Sequence, residues 1–208
     1  MIKLYSMPSS GNSYKARLLL AKLGIPFQHI SAEYGEHRLT ATREFLAKNP
    51  AGKVPLIEFE DGQCLSESNA ILHYFGEGTR FVPTDKLERA KVYQWLFWEQ
   101  NIHEASVAVR MATFNYPQRE MDRSPERMEA LLQSGNSALD VMEQQLTKTP
   151  FLVGKTISLA DVCLYSYTHR ADMGGFDVKS RKGIIAWLEQ VANDSGHVPI
   201  EWIPEEVK

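Results

Sequence analysis

The segment "NPAGKVPLIEFEDGQCLSESNAIL", Asn49 to Leu72, constrains the fold more than any other part of the chain. Asp61-Gly62 lies between the apolar runs Val54–Ile57 and Cys64–Leu65. A tight two-residue turn needs positive φ, which glycine adopts freely, so the segment reads as an antiparallel hairpin. A helical pattern, "SNAILHYFGEG", follows at once, with Ala70, Ile71, Tyr74 and Phe75 as its apolar side. Upstream, Ile2–Tyr5 reads as a strand and Ser13–Leu23 as a helix, with Ala16, Leu19, Leu20 and Leu23 at helical spacing. Gly24 stops that helix, and a second strand follows at Gln28–Ser31. After the polar loop "AEYGEHRLTA", the short helix "TREFLAKN" ends at Asn49-Pro50, since proline disfavours helical backbone in the residue before it. The order is β-α-β-α-β-β-α. That order predicts a mixed sheet with helices packed on it.

The character changes after Gly78. "TRFVPTDK", residues 79–86, reads as a linker, and every long segment beyond it has helical period. Leu87, Ala90, Tyr93, Phe97 and Trp98 fall near one stripe, and Ser124-Pro125 reads as the cap and first residue of a second long helix. The expected fold class is therefore α/β plus all-α: a mixed-sheet domain over 1–78, the linker, and a helical bundle over 87–208.

Several function classes are excluded at this stage. A net charge of −3 offers neither a basic field for nucleic acid nor an acidic tail. No apolar run approaches the roughly 18 residues that a membrane helix needs. The N-terminus lacks the basic-then-apolar pattern of a secretory signal. Cys64 and Cys163 are far apart, in no C-x-x-C pair and with no histidine at metal-ligand spacing. They read as two buried, reduced thiols of a cytoplasmic protein, and no metal site is expected.

Three motifs remain. "NPAGKVP" sets a proline at the start of a strand. A cis bond there would turn the backbone N–H and C=O of Val54 outward, where they can pair with an extended peptide as an added strand. "LSES" sits at a strand-to-helix junction, where the free N–H groups and dipole of a helix start suit a carboxylate, a serine can bind the same anion, and Glu67 suits an ammonium group. "KTISLAD" is a capping box in its Asp form, with Ser158 and Asp161 three apart and Ile157 and Val162 at hydrophobic-staple spacing; it belongs to folding.

Together, "NP.GKVP", Glu67-Ser68 followed by "AIL", and "PFLVG" before "SLAD" resemble a cytosolic glutathione transferase along essentially the whole chain, of the bacterial, serine-type, theta/phi/nu-like kind. The resemblance implies a thioredoxin-like first domain, a helical second domain, a homodimer and glutathione as co-substrate. It places Val54 against the backbone of the glutathione cysteine and makes Pro55 the cis proline. Ser68 would hold the γ-glutamyl carboxylate. Glu67, in a strained backbone conformation, would hold the amino group. Lys53 and His37, and less directly Arg38, would meet the glycine carboxylate. Trp98, His103, Arg110 and Phe114 are candidates for an apolar pocket.

The partner would be a small electrophile or a peroxide. The implied activity is glutathione S-transfer, with peroxidase or disulfide reductase chemistry, or non-catalytic ligand binding, as alternatives.

The resemblance implies that the thiolate is made at the first turn, "SMPSSGNSYKA". A free thiol has a pKa of about 8.5, and lowering it by two units takes about 2.7 kcal/mol. A hydroxyl donor to an anion supplies about 1.5–3 kcal/mol, and a helix N-terminus a few tenths to one more. No metal or base is needed. Alignment with serine-type classes selects Ser10, with Ser9 and Asn12 as alternatives; Ser13 reads as the helix cap, and Tyr5, near the place of a catalytic tyrosine in other classes, fits the strand pattern. The lack of cysteine here argues against mixed-disulfide chemistry.

Overall fold

The computed structural model of the chain describes residues 1–33 and 38–205. Two compact units are present: Met1–Glu77 with Asp194–Lys208, and Gly78–Asn193.

The first unit contains β1 (Ile2–Ser6), α1 (Gly11–Leu23), β2 (Phe27–Ser31), α2 (Arg43–Lys48), β3 (Leu56–Glu58), β4 (Cys64–Ser66) and α3 (Ser68–Gly76). One sheet runs β2-β1-β3-β4. β1 and β2 are parallel, in register from Ile2 with Phe27 to Ser6 with Ser31, and α1 is the crossover that a parallel pair requires. β3 is antiparallel to both β1 and β4, so Leu4 faces Ile57 and Ile57 faces Leu65. Alternation then builds two apolar layers. Leu4 and Ile57 join Ala16, Leu20, Phe27 and Ile71 on one side. Tyr5 and Leu56 join Phe45 on the other. On α3 the expected apolar side is only half right. Ile71 and Leu72 are fully buried, but Tyr74 is 57% exposed and stacks edge-on with Phe59 and Phe75.

The helical domain expected over 87–208 does not run to the end of the chain. The described residues from Asp194 onward group with the first unit. The cause is a set of specific ties. Lys22 Nζ pairs with Asp194 at 2.7 Å, Tyr14 donates to the Val198 carbonyl at 2.6 Å, and Trp202 meets Phe27 edge-on in the core. None of these pairings has a local sequence period.

The second unit contains α4 (Lys86–Trp98), a π-helical continuation over Glu99–Ala108, α5 (Val109–Asn115), α6 (Pro125–Leu146), α7 (Leu159–Thr168) and α8 (Lys182–Asn193). The stripe expected on α4 is on the wrong face. Leu87 and Phe97 are 65% and 69% exposed, whereas Val92 and Leu96 are buried. Val92 and Leu96 are four apart and form the inward ridge, so position on the helix outweighs side-chain size. Ser124 caps α6, accepting from Arg127 N at 3.3 Å, with Pro125 first in the helix.

The start of α7 is built as the sequence indicates. Asp161 Oδ2 accepts from both Ser158 N and Ser158 Oγ at 2.8 Å. Its Oδ1 accepts from Leu152 N and Trp187 Nε1, each at 2.9 Å. Leu159 N donates to the Phe81 carbonyl, and Ile157 and Val162 are both buried. Burial pushes the Asp161 carboxyl up from its ordinary pKa, while these four donors pull it down.

Candidate functional site

Two helix starts in the first unit define the candidate site. The turn Met7–Ser10 leaves β1 and enters α1. Ser10 has extended backbone and is the α1 cap: its Oγ accepts from Ser13 N at 3.3 Å, and its carbonyl accepts from Tyr14 N at 2.9 Å. The expectation that Ser13 caps this helix is corrected. Ser13 lies inside the first turn, fully buried, and its Oγ accepts from Met7 N at 3.1 Å. A cap must precede the helix with extended backbone, and Ser10 does.

The other candidates in this turn have other bonds. Ser9 donates its backbone N–H to Glu33 Oε1 at 2.9 Å and its hydroxyl to Glu33 Oε2 at 3.3 Å. Asn12 Oδ1 accepts from Ser68 Oγ at 3.1 Å. That last bond ties the first turn of α1 to the first residue of α3, so the positive ends of both helices lie together.

At α3, Glu67 is the residue before the helix and has φ 70°, ψ 115°, the non-glycine with positive φ among the described residues. Such a conformation costs of order 1–3 kcal/mol and persists where the surroundings impose it. Ser68 is buried. Its hydroxyl hydrogen goes to Asn12, and the first N–H groups of α3 have no intrahelical acceptor.

The Val54–Pro55 peptide is cis and stands just before β3. The loop leading to it is ordered by Asn49, a buried residue that sequence reading treated only as a helix end. Asn49 Nδ2 donates to the Lys53 carbonyl at 2.7 Å, its Oδ1 accepts from Ala51 N at 3.2 Å, and its carbonyl accepts from Gly52 N at 3.0 Å. Gly52 has φ 61°, and a Cβ there would come within 3.2 Å of the Thr40 carbonyl, so this tight turn favours glycine. Lys53 itself is exposed. His37 lies outside the described residues. Arg38 is exposed, and its Nε donates to Thr40 Oγ1 at 3.0 Å.

Tyr5 is committed elsewhere. Its hydroxyl donates to Glu58 Oε2 at 2.6 Å and accepts from Lys48 Nζ at 2.8 Å. Lys48 and then Tyr5 hold the Glu58 carboxyl down at about 2, while burial and the Glu58 bond raise the Tyr5 phenol. Burial also raises the Cys64 thiol, which keeps it protonated at neutral pH. Of the two cysteines expected to be buried, Cys163 is, but Cys64 is only half-buried.

In the second unit, a groove of about 340 Å³ lies between the π-helical stretch and α6, lined by Asn101, Ile102, Ser106, Arg127, Leu131 and Ser134. Trp98, His103, Arg110 and Phe114 do not line it. His103 is buried with Nε2 at 3.0 Å from Thr168 Oγ1, and Arg110 Nε donates to the Gly174 carbonyl at 2.7 Å. Among the described residues there is no cluster of three or more His, Cys, Asp or Glu that could hold a metal ion, and no helix long and apolar enough to cross a membrane.

Two domain models match the chain: the glutathione S-transferase N-terminal domain over residues 1–77 and the C-terminal domain over 125–190. A glutathione S-transferase from Pseudomonas fluorescens superposes with a TM-score of 0.91 at 45% identity, covering 96% of this chain and 98% of that one. The chain belongs to the glutathione S-transferase family. Within the family, it is 24% identical to glutathione S-transferase GstB of Escherichia coli (strain K12) over 98% of this chain and 99% of that protein. It is also 33% identical to elongation factor 1-gamma-A of Xenopus laevis, over 76% of this chain but only 36% of that longer protein. The N-terminal unit is thus the thioredoxin-like domain of the family, with a four-stranded mixed sheet.

Sequence reading missed Arg17, Asn49 and Glu33. Arg17 had a visible signal: a cation at the centre of α1, next to Ala16 and the run Leu18–Leu20. Glu33 carried none, because its bonds to Ser9 cross between loops.

Proposed function

We propose that the protein is a glutathione transferase that holds the glutathione thiol as a thiolate through Ser10. One observation carries this reading. Ser10 Oγ accepts from Ser13 N–H, so its own hydroxyl hydrogen is left to donate outward at the positive end of α1. Ser9 directs its hydroxyl hydrogen to Glu33, which favours Ser10 over Ser9; Asn12, whose carbonyl accepts from Ser68, stays the alternative donor through its NH2 group.

In this reading the tripeptide spans the two helix starts. Val54, ahead of the cis Pro55, pairs with the glutathione cysteine backbone. The first N–H groups of α3, with Ser68, receive the γ-glutamyl carboxylate, and Glu67 receives the amino group. Lys53, with His37, meets the glycine carboxylate. The thiol proton leaves to solvent. The Ser10 hydroxyl and the α1 dipole stabilise the sulfur anion, which then attacks a small electrophile, forming a C–S bond as a leaving group departs with its electron pair or an activated C=C bond opens and takes up a proton from solvent. Attack of the same thiolate on a peroxide or disulfide is a variant of this chemistry. Family membership supports a cytoplasmic homodimer.

A second reading is a module that binds glutathione or another ligand without turnover; similarity to elongation factor 1-gamma-A, a relative not named as a transferase, keeps it in view. The two readings separate by kinetics. Ser10→Ala should lower kcat with an electrophile panel by about 10–100-fold, corresponding to the loss of about 1.5–3 kcal/mol from one hydrogen bond to an anion, with little change in glutathione affinity. An unchanged kcat would remove Ser10 from the mechanism. No turnover in the parent protein with electrophiles, peroxides or disulfides would favour the binding module.

A further inference from the structure

Arg17 is fully buried in the middle of α1 and takes no part in the chemistry described so far. Its guanidinium is held by neutral oxygens. Nη1 donates to Ser6 Oγ at 2.9 Å and to the Met7 carbonyl at 3.0 Å. Nη2 donates to the Pro8 carbonyl at 2.9 Å and to the Ile200 carbonyl at 2.5 Å. Nε has no hydrogen-bond partner among the described residues. Among the described residues no carboxylate pairs with it directly; Glu33 and Glu201 act on it only at longer range. A buried charge with no counter-ion is costly, and removing its partners costs more.

The place of this charge is specific. The Met7 carbonyl that Arg17 grips also accepts from Ser10 N at 3.1 Å, and Met7 N is fixed on Ser13 Oγ. Arg17 therefore holds the same peptide that sets the backbone of Ser10. Behind it, Ser6 Oγ lies 2.8 Å from His29 Nε2. Burial first, and the charge of Arg17 second, push His29 down towards its neutral form. Burial also lowers the Arg17 guanidinium to about 10, which still leaves it charged at neutral pH.

We propose that Arg17 is a positioning residue for thiol activation. It fixes the Met7–Pro8 carbonyls so that the Ser10 hydroxyl keeps its aim at the sulfur, and it places a permanent positive charge behind the turn. A fixed charge in a dry setting acts strongly on an anion formed nearby, without reorganising. The Ile200 carbonyl anchors the far side of the guanidinium, so the C-terminal segment supports the same turn. This inference rests on the thiolate reading of the site.

The test is titration of bound glutathione by its thiolate absorbance in the full chain, with kcat/KM measured against pH. Arg17→Met should raise the thiol pKa by about one unit, which is tenfold in the thiolate fraction below the pKa, and the activity loss should recover at high pH. Arg17→Lys keeps the charge but loses the forked contacts, and should fall between Arg17→Met and the parent. A purely structural role would lower activity equally at all pH values. Ser6→Ala removes a single partner of Nη1 and should raise the thiol pKa by a smaller step, which keeps the test open if Arg17→Met does not fold. If the parent shows a depressed thiol pKa and every folded variant matches it, the Arg17 proposal is overturned while the Ser10 reading stands. If the parent itself binds glutathione with a solution-like thiol pKa, both fall.

Discussion

Asp161 offers the sharpest test of how the helical unit is held. Its carboxylate accepts four hydrogen bonds inside the protein, and among the described residues no cation pairs with it. Asp161→Ala strands three buried donors: Leu152 N, Ser158 N and Trp187 Nε1. The Ser158 hydroxyl can turn away. A stranded buried donor costs about 1–3 kcal/mol, so three give at least about 3 kcal/mol. That is a large share of the roughly 5–15 kcal/mol by which a native protein is stable. Asp161→Asn keeps the shape. Its carbonyl oxygen still serves Leu152 and Trp187, but its NH2 group faces Ser158 N–H, so the expected loss is that of one donor, about 1–3 kcal/mol. Ser158→Ala removes only a hydroxyl bond and costs about 1–2 kcal/mol. Urea unfolding at pH 7, followed by tryptophan fluorescence and far-ultraviolet circular dichroism, gives the ranking. Asp161→Ala should be least stable and Ser158→Ala most. A loss below about 1 kcal/mol for Asp161→Ala would refute the idea that this buried carboxylate organises the start of α7, because even one stranded donor costs that much.

Two further outcomes follow from the N-terminal unit. The folded-state pKa of Glu58 is depressed to about 2, so its stabilisation is present above the ordinary carboxylate pKa and is lost as pH falls towards 2. Glu58→Gln should therefore destabilise the protein at pH 7 by about 1–2 kcal/mol, allowing for solvent screening, and the difference from the parent should shrink on acidification below about pH 4 in thermal melts. Glu67→Gly should separate stability from binding. Relief of the positive φ gains about 1–3 kcal/mol and the flexibility of glycine costs about 0.5–1, so stability should hold or rise. Glutathione affinity, by calorimetry, should fall about tenfold through loss of the carboxylate partner of the amino group, a step of about 1.4 kcal/mol.

Local signals made much of this fold legible. Asp61-Gly62 gave the hairpin, Gly24 the end of α1, Ser124-Pro125 the start of α6, and Ser158 with Asp161 the α7 cap, because each acts through its near neighbours. The family motif "NPAGKVP" also led to the cis bond at Pro55, and "ESNAIL" to the positive φ at Glu67. What escaped was set by distant partners. The α4 stripe failed because Leu87 and Phe97 are large and apolar yet exposed, while the smaller Val92 faces inward. The division at residue 194 failed because Asp194, Val198, Ile200 and Trp202 are claimed by α1 and β2 through contacts that no local period reveals. The split of roles in the first turn failed for a related reason. Ser10 and Ser13 are three residues apart, and only the backbone geometry shows that Ser10 is the cap, which leaves Ser13 to bind Met7.

The central claim is that the capping hydroxyl of α1 also holds the sulfur anion. The direct measurement is the pKa of the glutathione thiol when bound, read from thiolate absorbance across pH, in the parent and in Ser10→Ala. The account predicts a parent value about two units below the free thiol's roughly 8.5, rising by about one to two units in Ser10→Ala. A bound thiol that titrates as in solution, or one equally depressed with and without the Ser10 hydroxyl, would contradict it.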